Sequence, residues 1–191
     1  MKARLADSQE FRNCLNQAIE PTALAALHTK SDPLVLHYLD LGLRQIQADE
    51  GTLWLINQEE SHLVPVYNSG PNAESILERH RQPLDEGLIG MVFVNGQSMV
   101  ENDTHLNENQ SKRLDRMLGL RTRSLIAVPY HLFGKRLGVA SFVQLDDPGA
   151  KQPLEGRSFN PNHLEEAENL ISLIARLTEH AVLGDILGMI P

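Results

Sequence analysis

The sequence predicts an α+β fold, and three observations carry that expectation. An apolar helical period begins at Asp32-Pro33, and a longer one begins near Phe159-Asn160-Pro161. Between them lie two strand pairs, each read from apolar, β-compatible segments on either side of a turn. With 191 residues, the chain is long enough for one sizeable core with extra helices.

The elements follow in order. The first thirty residues read as helical, and Pro21 fits the first turn of a second short helix. In SDPLVLHYLDLGLRQIQAD, Asp32 is a capping residue and Pro33 occupies the first helical position. Leu36, Leu39, Leu43 and Ile46 recur at helical spacing and mark the buried face. GTLWLIN (51–57) and HLVPVYN (62–68) read as strands around the turn NQEES. ESILERH is a polar helical piece.

The stretch DEGLIGMVFVNGQSMVEND carries no phosphate-loop pattern, and Gly87 and Gly90 would perforate a strand. A short helix fits it, with Leu88, Met91 and Val92 on one face, Gly96 as its stop, and QSMVEND as a strand entering a loop. ENQSKRLDRMLG (108–119) reads as an amphipathic helix with Leu114, Met117 and Leu118 inward. SLIAVPYHLFG and KRLGVASFVQLDD form the second hairpin, turning at Phe133-Gly134-Lys135 and apolar on both faces, as central strands require. A polar loop follows to Arg157, then Asn160 caps a helix running to about Leu187. Its seam of Ala167, Leu170, Ile174, Leu177, Ala181 and Gly184 is flanked by Ile171, Leu173, Val182 and Leu183. That coverage is wider than one sheet face needs and calls for a second partner, either the N-terminal helices or another chain.

Composition excludes several function classes. Charge is 17 minus 25, or −8, so neither nucleic acid nor an anionic membrane is an expected partner. The single cysteine, Cys14, permits no internal disulfide, and no secretory h-region or simple membrane span is evident; a cytoplasmic location is expected. The eight histidines make no metal pattern. GQSMV lacks the second glycine of a nucleophile elbow. Cys14 is better read as a semi-buried helix cysteine than as a nucleophile, and Asp103 with His105 as a solvated loop. Arg121 and Arg123 are expected to be solvated or paired with loop carboxylates rather than to face an anion.

EGLIGMVFVNGQSMVEND and RSLIAVPYHLFGKRLGVASFVQL, in that order and with these elements between them, resemble the two motif regions of the GAF domain family. The resemblance covers about Leu34 to Leu183. It divides the chain into an N-terminal helical extension (1–33) and a GAF-like domain (34–187) that includes the long C-terminal helix. It implies a profilin-like central antiparallel sheet of five to six strands, with terminal helices on one face. Short helices and loops would cover a ligand pocket on the other.

Some GAF-like enzymes reduce free methionine sulfoxide with cysteines inside the domain. Leu34 to Leu183 contains none, and no catalysis is expected. Bilin attachment and the cyclic-nucleotide pattern are not carried over either; FNPNHLEE reads as a helix start. The resemblance implies a sensory, signal-transducing domain that binds an unidentified small molecule, and the wide apolar coverage of the C-terminal helix leads to the expectation of a homodimer through Leu164–Leu187 and the N-terminal helices. It assigns no cofactor. The alternative is a structural dimerisation module without a ligand.

For the pocket, Phe93 and Met99 are the expected apolar lining, and Asn102 and Asp103 the polar rim. Ser124 and Tyr130 share a strand face and can supply hydroxyls to a ligand or to the backbone. Trp54, Phe93, Met99, Tyr130 and Phe142 each fit a pocket wall or plain core.

Overall fold

A computed structural model describes residues 33–57, 59–146 and 157–186. Cys14, Pro21, the expected N-terminal helices and most of the loop after Asp146 lie outside the described residues. The elements are α1 (Pro33–Ile46), β1 (Glu50–Ile56), β2 (His62–Asn68), α2 (Ala73–Arg79) and β3 (Gln82–Pro83). They continue with α3 (Gly87–Asn95), β4 (Met99–Glu101), α4 (Arg113–Leu118), β5 (Arg121–Leu132), β6 (Lys135–Asp146) and α5 (Pro161–Ile186). The strands form one six-stranded sheet in the order β3-β2-β1-β6-β5-β4, with every neighbouring pair antiparallel.

The second hairpin is central, as its two-sided apolarity requires. Its turn is Phe133-Gly134, both at positive φ, the geometry that matches the twist of tightly joined strands. Alternation sends Ile126, Val128, Tyr130 and Leu132 of β5, with Ala140 and Phe142 of β6, into one core layer. There they meet α1 and α5. Leu125, Ala127 and Val139 face the other way, with Trp54 and Leu63, toward α3.

Helix α5 starts where the sequence marks it. The His163 backbone N–H donates to Asn160 Oδ1 at 3.1 Å, and the Asn160 N–H donates back to His163 Nδ1 at 3.2 Å. This reciprocal cap leaves Pro161 in the first turn, where its missing N–H costs nothing. Ala167, Leu170, Ile171, Ile174 and Val182 are buried within the chain. Gly42 of α1 lets Leu170 come against the helix backbone; a side chain there would collide with it.

Three expected inward positions differ. On α1 the buried stripe is Val35, Leu39, Gly42, Leu43 and Ile46. Leu36 falls at its edge and is 39% exposed. On α3, Leu88 and Val92 are buried, but Met91 is 39% exposed. That helix is held from a second side by Gly90, where a Cβ would stand 2.7 Å from the Leu84 carbonyl and 2.8 Å from that of Pro83. Helix α4 is shorter than the segment 108–119, buries no residue, and leaves Met117 41% exposed. Gly96 and Gly119 end α3 and α4 in the left-handed conformation, as expected of helix stops.

Candidate functional site

The sheet face away from α1 and α5 is divided. Toward the C-terminal end of α3, Val92, Phe93 and Met99 pack in an apolar cluster that continues through Trp54 and Leu125 into the cavity wall. Toward the start of α3, the same face opens into a cavity of about 60 Å3. That is room for several waters or a small head group.

Strand register builds its floor. Thr52 on β1 lies opposite Asn68 on β2 and opposite Ser141 on β6, so three polar side chains form one row across the sheet. The next row carries Glu50 opposite Val143. Trp54 flanks the row on the other side. The roof is the first turn of α3 (Gly87, Leu88, Ile89), the residues Gln110 and Ser111, and α4 through Leu114, Asp115 and Leu118. Ile76, His80 and Gln82 close the side.

The polar groups are held in fixed roles. The Trp54 indole N–H donates to Ser141 Oγ at 2.9 Å. Asn68 Nδ2 donates to Thr52 Oγ1 at 2.9 Å, while its Oδ1 accepts from the Gly70 N–H at 2.8 Å. Gln82 Nε2 donates to the Glu86 carbonyl at 2.6 Å and the Pro83 carbonyl at 3.1 Å. Asp115 accepts the Thr122 hydroxyl at 2.7 Å and the Thr122 backbone N–H at 2.9 Å, which ties α4 to β5. His80 packs edge-on to Trp54, ring centroids 5.6 Å apart.

Glu50 is only 7% exposed and has no ion pair among the described residues. Burial pushes its carboxyl above the ordinary range; the Asn68 amide offsets part of this, and neighbouring Asp49 adds to it. Burial also pushes the His80 imidazole down, with Gln82 acting in the opposite direction and Arg113 and Arg81 reinforcing the fall. Among the described residues no group of three or more His, Cys, Asp or Glu side chains is arranged to hold a metal ion.

None of the six expected ligand-binding residues lines this cavity. Phe93 is a partly buried member of the apolar cluster, with the Arg136 guanidinium 5.4 Å from its ring centroid. Met99 packs in that same cluster. Asn102 clamps the approach to α5: its Nδ2 donates to the Phe159 carbonyl at 2.9 Å, and its Oδ1 accepts the Phe159 N–H at 2.7 Å. Asp103 is exposed, and its backbone N–H donates to Glu101 Oε1. Ser124 Oγ donates to the Asn102 carbonyl at 3.2 Å. Tyr130 lies on the helix-covered face, where its hydroxyl donates to Thr178. Arg121 and Arg123 flank the buried carboxylate of Asp146 at 3.7 and 3.5 Å.

Trp54 is the one aromatic candidate that lines the cavity. Glu50, Thr52, Asn68, His80, Asp115, Thr122 and Ser141 were not singled out from sequence. The available signal was polar residues recurring with period two in otherwise apolar strands: Glu50-Thr52-Trp54 on β1, and Ser141 within GVASFVQL.

The comparisons agree with this architecture. The family model for the GAF domain matches residues 34–179. No curated protein sequence matches. Among solved structures, one similar chain is the GAF domain of a phosphoenolpyruvate-protein phosphotransferase from Coxiella burnetii. It is 18% identical, with 97% of this chain and 100% of that chain covered and a TM-score of 0.62. The GAF-B domain of DevS from Mycobacterium smegmatis is 17% identical, covering 82% and 99%, with a TM-score of 0.58. Free methionine-R-sulfoxide reductase from Neisseria meningitidis, in complex with its substrate, is 16% identical, covering 97% and 98%, with a TM-score of 0.57.

Proposed function

The chain belongs to the GAF domain family, and from that premise we propose that it is a non-catalytic regulatory domain. It would bind a small molecule in the cavity over Glu50, Thr52, Trp54, Asn68 and Ser141. The observation that carries this reading is the partly open hollow itself. A mixed polar and apolar hollow between a central sheet and a short helix with no buried residue is a suitable place for a small ligand.

The reductases among the similar structures supply the rival reading. The family's reductase chemistry uses cysteines within the domain, whereas the sole cysteine here is Cys14, ahead of residue 34. That favours binding without turnover. Absence of methionine sulfoxide reduction by the purified chain, with and without Cys14→Ser, tests this part. Turnover that depends on Cys14 would replace it.

Signalling would run through the terminal helices. We place a homodimer contact on α5 and the N-terminal segment, with exposed Leu173 (36%) on its surface. No described helix is long and apolar enough to cross a membrane. A ligand would act only through unequal affinity for two helix arrangements. Native mass spectrometry of freshly purified protein tests the binding reading: a co-purified small molecule released on denaturation supports it. Bare chain, with no small metabolite shifting the thermal midpoint, favours a purely structural dimerisation module.

A further inference from the structure

We infer that the cavity selects a ligand whose buried end is a hydrogen-bond-donating cation, an ammonium or amidinium group, received by Glu50. The inference rests on the cavity being the ligand site and adds the chemical class that fits it.

The acceptor at the cavity floor is the Glu50 carboxyl. Several donors of the wall are already used. Trp54 Nε1 is committed to Ser141, and the Gln82 amide hydrogens to two backbone carbonyls. One hydrogen of Asn68 goes to Thr52, and the Thr122 hydroxyl to Asp115. The Glu50 carboxyl keeps acceptor capacity beyond the bond it takes from the Asn68 amide.

Charge agrees. The lining carries two carboxylic acids, Glu50 and Asp115, and no lysine or arginine among the described residues. The nearby cations Lys112, Arg116 and Arg121 line a separate groove on the outer side of α4. That groove shares only Gln110, Asp115, Leu120 and Thr122 with the cavity. An anion placed inside would therefore meet two carboxyls with no lysine or arginine in the lining, and a buried unpaired charge is costly. A cationic donor would give Glu50 the ion-pair partner it lacks among the described residues and form a charge-assisted hydrogen bond.

Glu50 is also positioned rather than incidental. Its carboxyl lies against the backbone at Gly70, where a side chain would overlap it. Gly70 is in turn held by its N–H bond to Asn68. The carboxyl thus sits at one end of the cavity floor, beside the Asn68–Thr52–Ser141 row.

The chain has a single tryptophan, and Trp54 is in the cavity wall, so its fluorescence reports occupancy directly. The probes are ethylammonium and ethylguanidinium against acetate and inorganic phosphate, at constant ionic strength. The two cations are expected to change Trp54 emission saturably in the millimolar range, as fits ligands of few atoms. The two anions are not. Glu50→Gln keeps the shape, removes the charge, and should weaken cation binding by about tenfold. Gly70→Ala, which displaces the carboxyl without changing its charge, should weaken it in the same direction. Circular dichroism establishes that both variants are folded. Saturable binding of phosphate or acetate, strengthened by Glu50→Gln, would overturn the inference while leaving the cavity as a binding site. A cation response unchanged by Glu50→Gln would do the same. No saturable response to any probe would overturn both the inference and the binding reading beneath it.

Discussion

The Tyr130 hydroxyl on β5 donates to Thr178 Oγ1 on α5 at 3.1 Å, and Thr178 donates onward to the Ile174 carbonyl at 2.9 Å. Both residues are buried, so this directed pair is a polar tie inside an otherwise apolar contact between sheet and helix. Burial pushes the Tyr130 phenol well above its ordinary range, and it stays a donor at every working pH. Tyr130→Phe should cost about 1 kcal/mol, the typical net value of one hydrogen bond. A thermal midpoint lowered by a few degrees, with ligand affinity unchanged, is the expected result of differential scanning calorimetry. A large loss of ligand affinity would instead tie this residue to the binding site.

Helix α4 is expected to be the movable part of the roof. It buries no residue and is tied to β5 through Asp115 and Thr122. Asp115→Ala removes both bonds and should lower the local opening free energy by about 1.5–3 kcal/mol, the range for hydrogen bonds to a charged group. Hydrogen exchange is the check. Amides of 113–120 should exchange faster while those of β5 and β6 keep their protection. Uniform loss of protection would mean that α4 is integral to the fold.

The two shifted groups in the cavity give opposite pH limbs. His80 has a depressed value, so the unfolded chain binds the proton more readily. Its contribution is present above the ordinary value of 6.5 and is lost as pH falls through the depressed one. Glu50 has a raised value, so the folded chain holds the proton more tightly. Its neutral form costs nothing below the ordinary 4.5, and stability falls as pH rises through the raised value. Glu50→Gln should therefore raise the thermal midpoint of the ligand-free protein at neutral pH, with the gain vanishing in acid. A midpoint lowered at neutral pH would show that ionised Glu50 is stabilising.

Charged substitution is expected to separate assembly from folding. Ile174 is fully buried in the core, so a charge there should unfold the chain rather than divide a dimer. Leu173, one residue on, is exposed. Leu173→Lys together with Leu36→Lys should leave circular dichroism unchanged and shift sedimentation from dimer to monomer at tens of micromolar, within the ordinary affinity range. A wild-type monomer at that concentration would remove the dimer proposal.

The fold was legible because its signals are local. Asn160-Pro161 announces α5, Gly96 stops α3, and the two-sided apolarity of SLIAVPY and LGVASFVQL places that hairpin in the centre. The cavity was less legible because it depends on register and on which face each helix covers. Alternation correctly put Ser124 and Tyr130 with Ile126 and Val128. It does not say that α5 covers the Tyr130 side. Nor does a linear sequence reveal that Asn68, Thr52 and Ser141, from three strands, stand in one row. Asn102 and Asp103 drew attention as polar residues after a short strand. Asn102 spends its amide on fixing Phe159, a contact between residues 57 apart in the chain.

The central claim is that a small molecule enters between Trp54 and α4. The most direct measurement is a titration of 15N-labelled protein with a library of small polar metabolites, followed by amide chemical shifts. The account predicts saturable shifts concentrated at Glu50, Thr52, Asn68, Ser141 and Thr122, with a change at the Trp54 indole N–H. The amides around Asp103 and those of β5 from Ile126 to Tyr130 should move little. Saturable shifts confined to Phe93, Met99 and Asp103, or to the α1–α5 face, would contradict it.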